Sequence, residues 1–122
     1  MSYDIQLYRR EVMEREQQYQ GDDDFFENEA NLLPFTPEQH QALHERLLQY
    51  YYLLTKNRPD EMEYKLKGHS ATALLTARAL YFAAAFVGDA IFEIGMTASE
   101  FTDTGEFAKY DPQAGGWEEI TG

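Results

Sequence analysis

Residues 79–87 read ALYFAAAFV, the longest apolar run in the chain. Nine residues are about half of the roughly 20 that a membrane-spanning helix needs. Alanine and leucine favour a helix after Ser70 as its cap, but that helix would be apolar on every side, and a 122-residue protein could hardly enclose it. The run therefore predicts a buried central strand over about 79–86, preceded by a short strand over 71–76.

Earlier in the chain, two segments alternate apolar and polar side chains. Residues 3–9 read YDIQLYR and residues 62–67 read MEYKLK. This period of two is typical of a strand with one buried face. Both segments are therefore predicted to be strands of the same sheet as the apolar run.

The strongest local signal is a helix start at Thr36. The sequence Thr36-Pro37-Glu38-Gln39 combines an N-cap threonine, a proline in the first helical position and a glutamine in the third, which is a capping box. An apolar stripe follows at helical spacing. It predicts a helix over about 37–56, with the stripe made of Leu43, Leu47, Tyr51 and Leu54.

After the run, Asp89 is a plausible cap for a helix over about 89–102, followed by a short strand at 107–110 and a terminal strand at 117–120. The resulting order of strand, helix, strand, strand, helix and strand is the split βαβ pattern of ferredoxin-like folds. We therefore predict one α+β domain over residues 1–122, with an antiparallel sheet and helices on one face.

Residues 11–34 interrupt this pattern as an acidic insertion after the first strand. Residues 11–29 contain eight acids and one arginine, and residues 89–119 contain eight acids and one lysine. A connection as long as 11–34 is typical of a functional loop or of a disordered segment. It is thus either a partner-binding loop or an acidic connector.

The charge excludes some partners. Twenty-two acids against ten bases give a net charge of −12, which disfavours duplex nucleic acid and anionic membranes, because lysine and arginine supply the affinity for both. Two interpretations of the acidic blocks remain: solvated faces, or a docking surface for a basic protein.

No chemical motif stands out. The chain has no cysteine, and no signal peptide opens it, so a cytoplasmic protein is expected. His40 and His44 lie four apart, but no third metal ligand is identifiable, and residues 22–29 lack the spacing of a calcium loop. The sequence contains neither a nucleophile elbow nor a phosphate-binding loop. We expect no cofactor, no metal and no catalytic activity.

Three consecutive tyrosines, Tyr50 to Tyr52, fan out by about 100° each on a helix. Tyr51 fits the core stripe, so Tyr50 or Tyr52 should be partly exposed. An exposed tyrosine is a good interface residue. The alternative is that both pack beneath the insertion or at the sheet rim.

Three pieces of the sequence resemble a group of small acidic bacterial proteins of the toxin-immunity type. They are the opening MSYDI, the run ALYFAAAF at 79–86 and the ending FAKYDPQ at 107–113. The resemblance implies a partner toxin that is neutralised by binding and occlusion. It carries no catalytic residue onto this chain.

The sequence thus predicts a small acidic binding protein with a basic partner. Its predicted contact residues are Asp22, Asp23, Asp24, Phe25, Phe26, Glu27, Glu29, Tyr50 and Tyr52. One alternative is an enzyme or small-molecule-binding protein whose pocket is lined by Tyr64, Tyr81, Phe82 and Trp117. Another is a self-associating protein, such as a homodimer, that pairs through a strand edge at 117–120.

Overall fold

The computed structural model describes residues 2–18, 25–27, 31–86, 88–113 and 116–118. Its helices are α1 (Arg10–Gln18), α2 (Pro37–Gln49) and α3 (Gly88–Glu100), with one turn of 3₁₀ helix at Phe25–Glu27. Its strands are β1 (Ser2–Arg9), β2 (Tyr52–Asn57), β3 (Glu61–Leu66), β4 (Ala71–Thr76), β5 (Leu80–Ala85), β6 (Phe107–Asp111) and β7 (Gly116–Trp117).

The strands form one antiparallel sheet in the order β2-β3-β4-β5-β1-β6-β7. The predicted α+β class is confirmed. The ferredoxin-like arrangement is not supported, because four strands, β2 to β5, follow one another in both sequence and space. The strand that the sequence did not predict is β2, because residues 52–57 were assigned to the end of a helix.

The apolar run forms a central strand, as predicted. Phe82 on β5 lies opposite Ile5 on β1 and Ala73 on β4. Both neighbouring strands satisfy the backbone of this segment, and its buried face packs beneath α2 and α3. Burying a side chain of this size contributes about 1.5–3 kcal/mol, so this layer is the main source of stability. Its largest buried members include Ile5, Leu7, Leu43, Leu47, Tyr52, Tyr64, Leu75, Leu80, Phe82 and Phe101.

Helix α2 begins as predicted and ends early. The Thr36 hydroxyl accepts the Gln39 amide at 3.1 Å, and the Gln39 side chain accepts the Thr36 amide at 2.9 Å. The predicted end at residue 56 is wrong, because Tyr51 adopts a left-handed backbone conformation with φ of 68° that terminates the helix. The following residues pair with β3, and this pairing buries Tyr52 completely.

A second, smaller core covers the opposite face of the sheet. Helix α1 and the 3₁₀ turn supply Val12 and Phe25 to it, and both are buried. Phe26 stacks on Tyr8 with ring centroids 5.2 Å apart. The beginning of the predicted insertion is therefore a helix attached to the sheet through apolar side chains.

Candidate functional site

Large apolar side chains that remain exposed mark candidate interaction surfaces, since contiguous exposed patches are typical of interfaces. In the described part of the chain, seven such side chains fall into two groups. One group lies around α3: Phe86, Phe92 and Met96. The other lies around β2: Leu48, Tyr51, Leu53 and Leu54.

Phe92 and Met96 of the first group line a groove of about 420 Å³ beside α3, which we call the α3 groove, and Phe86 packs against Tyr3 of the same groove. It forms because α3 packs mainly on β5 and β1, while the sheet continues past the helix to β6 and β7. One side of α3, the beginning of β1 and the end of β6 therefore face a shared hollow. Its lining is Tyr3, Ile5, Ile91, Phe92, Gly95, Met96, Ser99, Lys109 and Asp111.

The far wall of the α3 groove is polar and internally bonded. The Tyr3 hydroxyl donates to Asp111 Oδ2 at 2.7 Å, and this hydrogen bond raises the pKa of Tyr3. Lys109 Nζ donates to the Gly95 carbonyl at 3.2 Å and to Ser99 Oγ at 2.9 Å. The same ammonium lies 3.6 Å from Glu118, and the Lys109 side chain is only 11% exposed. This cation is therefore largely occupied inside the protein.

The charge around the α3 groove is negative. Asp111 lines its far wall and Glu118 pairs with Lys109 of that wall, and helical periodicity places Asp89, Glu93 and Glu100 on the flank of α3 away from the groove. Lys109 is the one base within α3, β6 and β7. The surface thus combines exposed apolar side chains with an acidic surround, a chemistry suited to an apolar segment that carries positive charge.

Gly95 forms part of the groove floor in the middle of α3. A Cβ atom there would meet Ile5 Cδ1 at 3.8 Å and Lys109 Nζ at 3.9 Å, which are ordinary contacts. Glycine inside a helix costs about 0.5–1 kcal/mol relative to alanine. Gly95→Ala is therefore expected to raise the free energy of unfolding by that amount in urea titrations. A loss of stability would show that the floor is more tightly packed than these distances indicate.

The acidic residues that the sequence predicted as contacts lie mostly outside the part of the chain that the structure describes. Asp22, Asp23, Asp24 and Glu29 lie outside the described residues, and Glu27 ends the 3₁₀ turn. The two phenylalanines between them are not exposed anchors: Phe25 is 1% exposed, and Phe26 is half-buried against Tyr8, Tyr110 and Trp117.

The tyrosines are arranged differently from the prediction. Tyr51, expected in the core, is 68% exposed, so that prediction is wrong. Tyr50 is half-buried and packs edge-on against Phe101 at 5.3 Å. Tyr52 is fully buried and donates to Thr97 Oγ1 at 3.3 Å, and burial raises the pKa of Tyr52 to about 12. Early termination of α2 explains all three positions.

The two histidines lie beside β3. His44 Nδ1 is 2.7 Å from the Tyr64 hydroxyl, whose pKa is raised to about 12 by burial. Burial, and secondly the proximity of His44, lower the pKa of His40. The His44 contact gives a buried tyrosine hydroxyl the partner that it requires. Within the described residues, no group of three or more His, Asp or Glu side chains could hold a metal ion.

The predicted small-molecule pocket does not form from the predicted residues. Tyr64 and Phe82 belong to the core beneath α2 and α3, whereas Tyr81 and Trp117 pack with the second core on the other face. The sheet separates the two pairs. These four aromatic side chains therefore cannot line one cavity.

Comparisons with known proteins add no identification. No family model matches the chain, and neither a curated protein nor a solved structure is significantly similar to it. Among the residues that the structure describes, no helix is both long enough and apolar enough to cross a membrane.

Proposed function

We propose that this protein is an acidic binding protein and that the α3 groove is where it recognises a basic protein partner. The observation that carries the proposal is Phe92, a large aromatic side chain that is 66% exposed on the rim of an apolar groove with acidic surroundings. Water contact with so much apolar surface is unfavourable, and a partner would relieve it.

Charge and apolar surface have separate roles in this proposal. The carboxylates of α3 and β6, Glu118 after β7 and the long-range field of a chain with net charge −12 accelerate encounter with a positively charged partner and disfavour acidic ones. Phe92, Met96 and Ile91 then supply the affinity, because desolvated aromatic and aliphatic anchors carry most of the binding energy in protein interfaces.

The resemblance of the sequence to immunity-type proteins suggests which partner this is. A cytoplasmic toxin domain with a basic surface would be neutralised by occlusion once it occupies the groove. In that setting the protein needs no catalytic group of its own, only a surface that the toxin recognises.

The test is binding of a fluorescently labelled amphipathic peptide, measured by fluorescence anisotropy. Its sequence places leucine on one face of a helix and lysine on the other. We expect the peptide to bind and the affinity to fall several-fold when ionic strength rises from about 50 to 500 mM, because salt screens exposed charges. A peptide with glutamate in place of lysine is expected to bind at least about tenfold more weakly. Equal affinity for the two peptides would contradict the proposal.

Two matched variants locate the binding site. Phe92→Ala removes an aromatic side chain from the groove rim, and Tyr51→Ala removes one of equal exposure, 68% against 66%, at the other end of the sheet. We expect Phe92→Ala to lower the affinity for the lysine peptide about tenfold or more, as at an interface hot spot. Tyr51→Ala is expected to change that affinity by less than about twofold. A comparable loss in both variants would place the peptide elsewhere.

A further inference from the structure

The strand β2 forms one end of the sheet, and five of its six residues are exposed. The Lys67 amide donates to the Tyr51 carbonyl at 3.0 Å. Along an edge strand of an antiparallel sheet, residues whose peptide groups bond to the neighbouring strand alternate with residues whose peptide groups point outward. The peptide groups of Tyr52 and Leu54 therefore point away from β3, where they can pair with another strand.

The same edge carries the second group of exposed apolar side chains. Leu53 is 51% exposed and Leu54 is 38% exposed, and the two project to opposite faces of the sheet. Leu48 at the end of α2 is 42% exposed, and Tyr51 precedes the strand. Free peptide groups flanked by apolar side chains on both faces are a template for strand pairing.

We propose that β2 pairs with β2 of a second copy of this chain, in antiparallel orientation, so that two sheets join into one across a twofold axis. An antiparallel edge is complementary to itself under twofold rotation. This surface is separate from the α3 groove, and its existence does not depend on the proposed function.

Charge favours a second copy at this edge. Each copy carries a net charge of −12, so two copies repel unless they meet where negative charge is least. Residues 52–67 contain four bases and three acids, whereas the acidic block 89–119 contains α3, β6 and β7, at the other end of the sheet order. Two copies that meet through β2 therefore keep their acidic ends apart.

The pairing is short and reversible. A register shift interrupts the β2 ladder between Leu54 and Lys56, and such bulges, like lysine on an edge strand, oppose extended edge pairing. The new ladder is therefore limited to the first half of the strand, Tyr52 to Leu54. Apolar contact through Leu53, Leu54 and Leu48 supplies the remaining stabilisation.

Analytical ultracentrifugation of the full chain, over about 1–200 µM, tests the proposal. We expect a monomer–dimer equilibrium that shifts toward dimer when salt is added, because screening weakens repulsion between two anionic copies. This salt dependence is opposite in sign to that of peptide binding. A monomer at every concentration and ionic strength would overturn the proposal, while the groove would still be tested separately by the peptide.

Two substitutions and one control assign the dimer to β2. Leu54→Pro removes an outward amide hydrogen without removing a bond to β3, and Leu54→Thr replaces an apolar side chain with a polar strand former. Each is expected to raise the dimer dissociation constant at least about tenfold, whereas Phe92→Ala should leave it unchanged. If Leu54→Pro fails to fold by circular dichroism, Leu54→Thr decides. If the Leu54 variants that fold have an unchanged dimer dissociation constant, β2 is not the dimer interface.

Discussion

Phe82→Ala is expected to lower the free energy of unfolding by about 3–5 kcal/mol, the range for removing a buried phenylalanine. Phe82 is 1% exposed and lies in the middle of β5. Its ring meets Tyr52 edge-on at 5.7 Å and Phe101 at 6.3 Å. Alanine would leave a cavity where β2, β5 and the end of α3 converge, and strands fixed on both sides cannot collapse to fill it.

Phe86→Ala is the matched control for this substitution. Phe86 lies four residues further along the same apolar run but is 55% exposed, with one edge-on contact to Tyr3 at 6.3 Å. Removing this ring is expected to lower the free energy of unfolding by less than about 1 kcal/mol. Urea titration of both variants measures the two values. Equal destabilisation by the two substitutions would mean that β5 does not bury the face described above.

The second large effect is expected at Phe25, which sequence reasoning placed in the partner interface. Phe25 is 1% exposed, meets Phe26 edge-on at 5.2 Å, and its carbonyl accepts the Asn31 side-chain amide at 3.1 Å. Phe25→Ala should therefore lower the free energy of unfolding by about 3 kcal/mol. Because the side chain lies away from the α3 groove, affinity for the lysine peptide should stay within about twofold.

Paired measurements on one sample, urea unfolding and peptide anisotropy under native conditions, separate the two roles of Phe25. A structural residue changes stability and leaves the affinity of the folded fraction unchanged. The reverse outcome, unchanged stability with lost binding, would return Phe25 to the interface and contradict its placement in the second core. Gly95→Ala in the same assay reports whether the groove accepts a methyl group on its floor.

The two exposed apolar groups give the molecule two distinct ends. The α3 groove lies toward the acidic β6–β7 end of the sheet, and β2 lies at the other end, where charges nearly balance. A dimer through β2 would leave both grooves free. The proposed partner interaction and the proposed self-association are thus compatible, and their opposite salt dependence distinguishes them experimentally.

The α3 groove could have been suspected from α3 alone. Ala90, Ile91, Ile94, Ala98 and Phe101 form an apolar stripe at helical spacing, and in the structure all of these except the half-buried Ile91 are buried. Phe92 and Met96 lie off that stripe, one helical turn apart, and apolar residues outside a helix's buried face are a signal of a second contact. The sequence could not show that β1 and β6 bring Tyr3 and Asp111 together beside them, since these two hydrogen-bonded residues lie 108 positions apart in the chain.

Local signals were sufficient wherever a short stretch contains all of its own determinants. The capping box starts α2 because both of its hydrogen bonds join residues three apart. The alternation of residues 3–9 and the apolar run at 79–86 identified β1 and β5, because a strand's period and its burial are both legible in the side chains themselves.

Where α2 ends was decided by the tertiary structure. Residues 50–56 continue the helical stripe, and nothing local stops it, yet the chain turns at Tyr51 and pairs as β2. The backbone bonds to β3 and the complete burial of Tyr52 beneath α3 exist only once β3 and α3 are in place. By itself, the sequence determined the α+β class, the negative charge and most of the elements. The order of strands in the sheet, the formation of β2 and the two exposed surfaces depend on long-range contacts. No single segment of the sequence contains the energies of those contacts.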